Sequence, residues 1–129
     1  MNKVTHFEIP FDDQARAQKF YSDVFGWQIN KFGDMDYWIA TTCKCDENMM
    51  PTEPGAINGG LLKRDETGMN PVIVVDVPNI DEHLKKIESA GGKIVMPTVP
   101  VGDFGLYARV TDTEGNIIGV WQLLKKDHH

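Results

Sequence analysis

Apolar and polar side chains alternate from Val4 to Pro10, the period of a strand with one buried face. Asp12-Asp13 then open a run in which Ala17, Phe20, Tyr21, Val24 and Phe25 recur at helical spacing, so the pattern predicts a strand followed by an amphipathic helix. Asp12 or Asp13 is the expected N-cap, and Gly26 the expected left-handed terminator before Trp27 to Phe32 leaves as a strand. Beyond the Gly33-Asp34 turn, Tyr37 to Thr42 carries the aromatic and β-branched residues that suit a pleated surface. Lys44 to Pro54, with two prolines and the pair Met49-Met50, reads as a loop, and Ala56 to Lys63 is extended again.

The second half runs through the same order. Val72 to Val77 is an apolar strand, Pro78-Asn79 leads into a helix carrying Ile80, Leu84, Ile87 and Ala90, and Gly91-Gly92 ends it. Strands Lys93 to Met96, Leu106 to Thr111 and Ile117 to Leu124 follow, the last two joined by an Asp112-Thr113-Glu114-Gly115 turn. Superposing the halves places Phe11 on Val77, Gly26 on Gly92, and Gly55 to Gly59 on Gly115 to Gly119. Several matches in one order indicate a tandem duplication. The expected fold is therefore α+β: two βαβββ modules, roughly residues 3–64 and 70–125 of one domain, whose eight strands form a curved mixed sheet. Each helix shows a single apolar stripe, which places the helices together on the convex face.

With 129 residues and 41% hydrophobic side chains, the chain has enough apolar surface for one core. The formal net charge of -6 and the lack of any Lys/Arg run with interleaved aromatics argue against nucleic acid as a partner. No apolar run is long enough to span a bilayer, and the start, Met-Asn-Lys-Val-Thr-His-Phe-Glu, turns polar too early for a signal peptide, so no membrane partner and a cytoplasmic location are expected. Cys43 and Cys45 stand too close for an unstrained disulfide and lack the second Cys/His pair of a zinc site, so they read as reduced thiols. The closing Asp127-His128-His129 carries no functional argument. Phosphate-binding loops, Gly-x-Ser-x-Gly, Cys-x-x-Cys and dinucleotide fingerprints are all absent.

His6-Phe7-Glu8-Ile9-Pro10, then Phe20-Tyr21, Phe25-Gly26-Trp27 and, near the end, Asp112-Thr113-Glu114-Gly115-Asn116 resemble the glyoxalase-like branch of the glyoxalase/bleomycin-resistance/dioxygenase (vicinal oxygen chelate) superfamily. The resemblance covers nearly the whole chain. It implies the βαβββ fold more firmly than any one activity, because this scaffold hosts lyases, epimerases, dioxygenases, thiol transferases and sequestering proteins. In its metal-dependent members each module supplies one ligand from its first strand and one from its last. His6, fifteen residues before Tyr21, falls on the first such position, Val72 on its counterpart, and Gly59 and Gly119 on the two last-strand positions. One imidazole with a valine and two glycines cannot supply the three or four donors at about 2 Å that a tightly held cation needs, so no metal and no other cofactor are expected. The resemblance also implies a homodimer, since members often pair modules edge to edge.

His6 and Glu8 are the candidate acid–base residues, both on one face of the first strand by period-two alternation, with Asp76 and Val72 on the matching strand. Trp38, Tyr107 and Trp121, with Met49 and Met50, would line a pocket for a flat or apolar ligand, and Gly59 and Gly119 would leave room for it beside two strands. The bland alternatives are a hydrogen-bonded strand histidine, a structural pairing of Glu8 or Asp76 with Arg109 or Lys63, and aromatics packed in the core or at a dimer contact. Two functions remain open. One is a protein that binds a small aromatic or amphipathic molecule without turnover, in a concave pocket without metal. The other is a glyoxalase-like lyase, isomerase or dioxygenase, metal-dependent only if the ligand positions lie elsewhere. The single strong acid–base candidate favours the first.

Overall fold

The computed structural model describes residues 1–66 and 69–124, so the terminal histidine pair lies outside the described residues. The elements follow the expected order: β1 (Val4–Phe11), α1 (Gln14–Phe25), β2 (Gln28–Lys31), β3 (Tyr37–Thr41) and β4 (Asn58–Lys63), then β5 (Val72–Asp76), α2 (Ile80–Ser89), β6 (Lys93–Val101), β7 (Gly105–Thr111) and β8 (Ile117–Leu123). The chain is thus α+β with tandem βαβββ modules and mixed parallel and antiparallel pairing. It forms two compact units, one of His6–Pro71 and one of Met1–Thr5 with the chain from Val72 onward. No helix among the described residues is long and apolar enough to cross a membrane.

In the His6–Pro71 unit the strand order is β2-β3-β4-β1, with β1 parallel to β4 and the other pairs antiparallel. The second unit repeats it as β6-β7-β8-β5, with β5 parallel to β8. β6 is longer than its sequence pattern suggests. It runs on through Pro97 and Pro100 to Val101, with register shifts between Ile94 and Met96 and between Met96 and Val99. Proline and bulges are tolerated there because β6 ends the strand order and need not pair on its far side.

Each helix is set by its caps. Asp13 accepts from the Arg16 N–H at 3.0 Å, and Gly26, at φ 74°, ends α1 in the left-handed conformation while its N–H reaches the Ser22 carbonyl. Asn79 caps α2 by accepting from the Glu82 N–H, with Asp81 and Glu82 in the first turn and Lys86 in the last, as the helix dipole favours. The β7–β8 turn is held by Asp112, whose carboxylate accepts from the backbone of Glu114 and Asn116 and from the Asn116 amide. Those bonds hold its carboxyl below the usual range.

The two cores sit between helix and sheet. One comprises Phe11, Ile29, Ala40 and Leu61, with Phe7, Ile9, Ala17, Tyr21, Trp27 and Trp38 against it; the other comprises Val77, Ile80, Leu84, Ala108, Val110 and Val120. A fully buried Leu or Ile contributes about 1.5–3 kcal/mol, so Leu61 and Ile80 are major anchors. The helices differ in how they use this face. α2 buries Ile80 and Leu84, whereas no residue of α1 is buried. Because side chains alternate along each strand, the residues that do not face a helix collect on the opposite face of each sheet.

Candidate functional site

On the helix-free face of the His6–Pro71 unit, the ladders bring together His6 and Glu8 of β1, Asn58 and Gly60 of β4, and Tyr37 and Ile39 of β3. β4 lies between the other two strands. The Tyr37 ring crosses it at Gly60, where a Cβ would overlap the ring, and the Tyr37 hydroxyl thereby reaches His6 Nε2 at 2.7 Å. The two rings lie nearly parallel, 15° apart. Burial pushes the His6 pKa below its ordinary 6.5, opposed by the negative charge of Glu8. The imidazole is therefore mainly neutral near pH 7 and available as an acceptor or base. Glu8 itself is buried beside it; among the described residues the other buried charged side chain is Arg109.

The second unit builds the same motif with different chemistry. Its helix-free face holds Val72, Val74 and Asp76 of β5, Gly119 and Trp121 of β8, and Tyr107 and Arg109 of β7. A Cβ at Gly119 would stand 2.7 Å from the Tyr107 hydroxyl, so the tyrosine again lies over a glycine of the middle strand. The position matching His6 carries Val72. Instead the hydroxyl accepts from Arg109 Nε at 3.1 Å, and the guanidinium carbon stands 5.7 Å from the ring centroid. Trp121 is half-buried opposite Tyr107, with its indole over Gly105.

The ladders correct two of the residues singled out above. Glu8 pairs with Gly60, and Val74, its counterpart sixty-six residues on, pairs with Gly119. Gly60, not Gly59, is therefore the equivalent of Gly119. The one-residue difference moves Gly59 to the other face, where a Cβ would meet the Phe7 ring, because a slip of one in a strand exchanges its faces. Trp38 is also on that face, packed edge-on against Phe11 with ring centroids 5.5 Å apart. It serves the core and does not share a face with His6. The glycines, moreover, do not leave open room: Tyr37 and Tyr107 fill the space above Gly60 and Gly119. Val72, Gly119, Tyr107 and Trp121 do share one face, as do His6 and Glu8. Met49 and Met50 are exposed in the loop. Both cysteines are free thiols, Cys45 accepting from the Asn58 amide at 3.1 Å.

Sequence reasoning missed Tyr37, Gly60 and the joining of Arg109 to Tyr107. A signal existed: Tyr37-Trp38-Ile39 and Tyr107-Ala108-Arg109 occupy matching places in the third strands of the two modules.

Comparison with known proteins agrees with this architecture. The bleomycin resistance protein-like N-terminal family matches residues 3–42. CFP32 of Mycobacterium tuberculosis, whose name marks it provisionally as a glyoxylase, is 31% identical over 117 residues, covering 85% of this chain and 41% of the relative. The anthracycline biosynthesis protein DnrV of Streptomyces peucetius is 25% identical over 132 residues, covering 90% of this chain and 45% of the relative. A glyoxalase/bleomycin resistance protein/dioxygenase superfamily member from Vibrio splendidus superposes with TM-score 0.63 at 15% identity, over 96% of this chain and all of the other. In sequence and fold the chain is similar to proteins of the glyoxalase/bleomycin resistance/dioxygenase (vicinal oxygen chelate) superfamily. It spans less than half the length of those two curated relatives. Another protein of the same fold, methylmalonyl-CoA epimerase from Mycobacterium tuberculosis, superposes with TM-score 0.60 at 16% identity, over 95% of this chain and 88% of that one.

Similarity to this superfamily poses the metal question sharply, and the donor set does not fit. The first-strand positions carry His6 and Val72, and the last-strand glycines carry no side chain at all. His6 Nε2 is already engaged by the Tyr37 hydroxyl. Among the described residues, no group of three His, Cys, Asp or Glu side chains is placed to hold a metal ion.

Proposed function

We propose that this chain binds a small aromatic or amphipathic organic molecule on the helix-free faces of its sheets, without a tightly held metal ion. The observation that carries this reading is the pair of tyrosines laid across glycines of β4 and β8. Where the superfamily's metal-dependent members project ligands, this chain presents flat rings, each with a polar tip, beside a neutral imidazole in one unit and a guanidinium in the other. Rings offer apolar area at small entropic cost, and their hydroxyls fix orientation, which suits an organic ligand better than a bare cation. Trp121, partly exposed beside Tyr107, adds a stacking surface. The name of DnrV, which ties that relative to anthracycline biosynthesis, supports a ligand with fused aromatic rings. The reading sets the chain in the cytoplasm, where thiols such as Cys43 and Cys45 stay reduced.

The test is a thermal-shift screen of aromatic and amphipathic metabolites, followed by calorimetry on wild type, His6→Ala and Trp121→Ala. A binder whose affinity falls in either variant, with folding intact, supports the assignment; unchanged affinity in both refutes it.

A second reading, turnover of such a ligand by glyoxalase-like lyase or isomerase chemistry, is favoured by the His6–Tyr37 hydrogen bond and the depressed His6 pKa. A neutral buried imidazole with Glu8 nearby is equipped to remove a proton from carbon. Deuterium uptake from solvent into a bound ligand, lost in His6→Ala, would establish it.

A further inference from the structure

We propose that the β3–β4 connection of the His6–Pro71 unit is a site for a soft monovalent cation, copper(I), held by the thiolates of Cys43 and Cys45, with a thioether from Met49 or Met50 completing the sulfur set. Both cysteines of the chain and two of its six methionines fall within residues 43–50. The cysteines are free and half-buried, and their S–H groups turn back on the segment between them. Cys43 donates to the Lys44 carbonyl at 3.3 Å and Cys45 to the Cys43 carbonyl at 3.5 Å. Two residues apart, they cannot close an unstrained disulfide, so in a reducing compartment both stay available as ligands.

The rest of the connection is a closed hairpin. Cys45 pairs with Pro51, the Lys44 carbonyl accepts from the N–H and the hydroxyl of Thr52, and the Asp46 carboxylate accepts from the N–H groups of Asn48 and Met50. Met49 is held at φ 63°, the left-handed conformation that glycine or asparagine adopts at less cost. Met49 and Met50 are also 64% and 58% exposed. Neither side chain serves the core, and Met49 does not suit its backbone, which leaves a soft sulfur as what methionine brings to the tip. Asn58 supports the thiol end. Its Oδ1 accepts from the Thr42 N–H at 3.0 Å, which turns its amide Nδ2 toward Cys45 Sγ at 3.1 Å. A hydrogen bond donated to sulfur steadies the charge of a bound thiolate, as outer partners do around metal ligands. On binding, each thiol gives its proton to solvent and two sulfur–copper bonds form, with no change of oxidation state. Soft thiolate and thioether donors select copper(I), whereas zinc seeks about four donors, and among the described residues no three His, Cys, Asp or Glu side chains are grouped to hold an ion. His6 and Tyr37 take no part.

The experiment is an anaerobic titration of the reduced full chain with copper(I) against a chromophoric copper(I) chelator, with X-ray absorption to identify the donors and circular dichroism as the folding control. Wild type should bind one copper(I) per chain through sulfur donors only. Cys43→Ser and Cys45→Ser should each weaken binding about a hundredfold or more, and Asn58→Asp, which keeps the Thr42 bond but replaces the donor with an oxygen, about tenfold. Met49→Leu combined with Met50→Leu should remove one sulfur from the donor set and weaken binding. Nitrogen or oxygen donors in wild type, or affinity unchanged in either serine variant, would overturn the proposal. So would affinity indifferent to both Asn58→Asp and the methionine pair, the mark of two thiols acting without the hairpin.

Discussion

Gly60→Ala probes the joint on which the site depends. The added methyl would occupy the space of the Tyr37 ring, and the ring is rigid, so it must swing away from β4. Overpacking of this kind costs about 1–3 kcal/mol. Losing the 2.7 Å bond to His6 adds about 0.5–1.5 kcal/mol, and the stiffer unfolded chain returns about 0.5–1 kcal/mol. A net destabilisation of about 1–3 kcal/mol should appear as a lower urea midpoint with the slope unchanged. The same substitution in a Tyr37→Ala background should be neutral or slightly stabilising, because all three nearest atoms to the new Cβ belong to Tyr37. The His6 ring resonances should move in Gly60→Ala. They should move less in Gly59→Ala, whose methyl meets Phe7 on the other face and leaves the Tyr37 hydrogen bond in place. Equal cost with and without Tyr37, or a His6 spectrum insensitive to Gly60→Ala, would refute the geometry.

His6 resists protonation when folded, so the unfolded chain takes up the proton first as pH falls through 6.5. Stability should therefore decline from that point down to the folded-state pKa, and His6→Asn should remove this part of the decline in urea titrations compared across the range. Zinc, nickel, manganese or iron at micromolar concentration should leave the melting temperature unchanged; stabilisation of several degrees by any of them would reveal a site the donor set does not suggest. Trp38→Ala should cost about 2–4 kcal/mol of stability through its contact with Phe11, while affinity for an identified ligand is retained, the reverse of the expectation for Trp121→Ala.

Alternation, caps and turn residues made the elements legible in the sequence. Asp13, Gly26, Asn79 and the Asp112 turn all act where their chemistry suggests. The repeat was legible as well, but not to the residue. Hydrophobic period fixes which face a strand buries, whereas the offset between two strands is set by the loop that joins them, and the connection of residues 42–57 has no counterpart of equal length in the second half. That offset decides whether Gly59 or Gly60 lies beside Glu8. Trp38 illustrates a second limit: an aromatic on a strand reads alike whether it faces a helix or not, and only its neighbours Ala40 and Leu61 on the same face show that it packs in the core. The tyrosine-over-glycine contacts are diagonal across two strands, a relation that no linear pattern displays.

The central claim, an organic ligand held on the helix-free faces, is tested most directly by amide and side-chain NMR of the isotope-labelled chain titrated with a binder from the screen. The account predicts saturable shifts at His6 and Tyr37 of one unit or at Tyr107 and Trp121 of the other, with the helix residues Ala17, Ile80 and Leu84 unmoved. Shifts centred on α1 or α2, with the His6 and Trp121 signals unchanged at saturation, would contradict it.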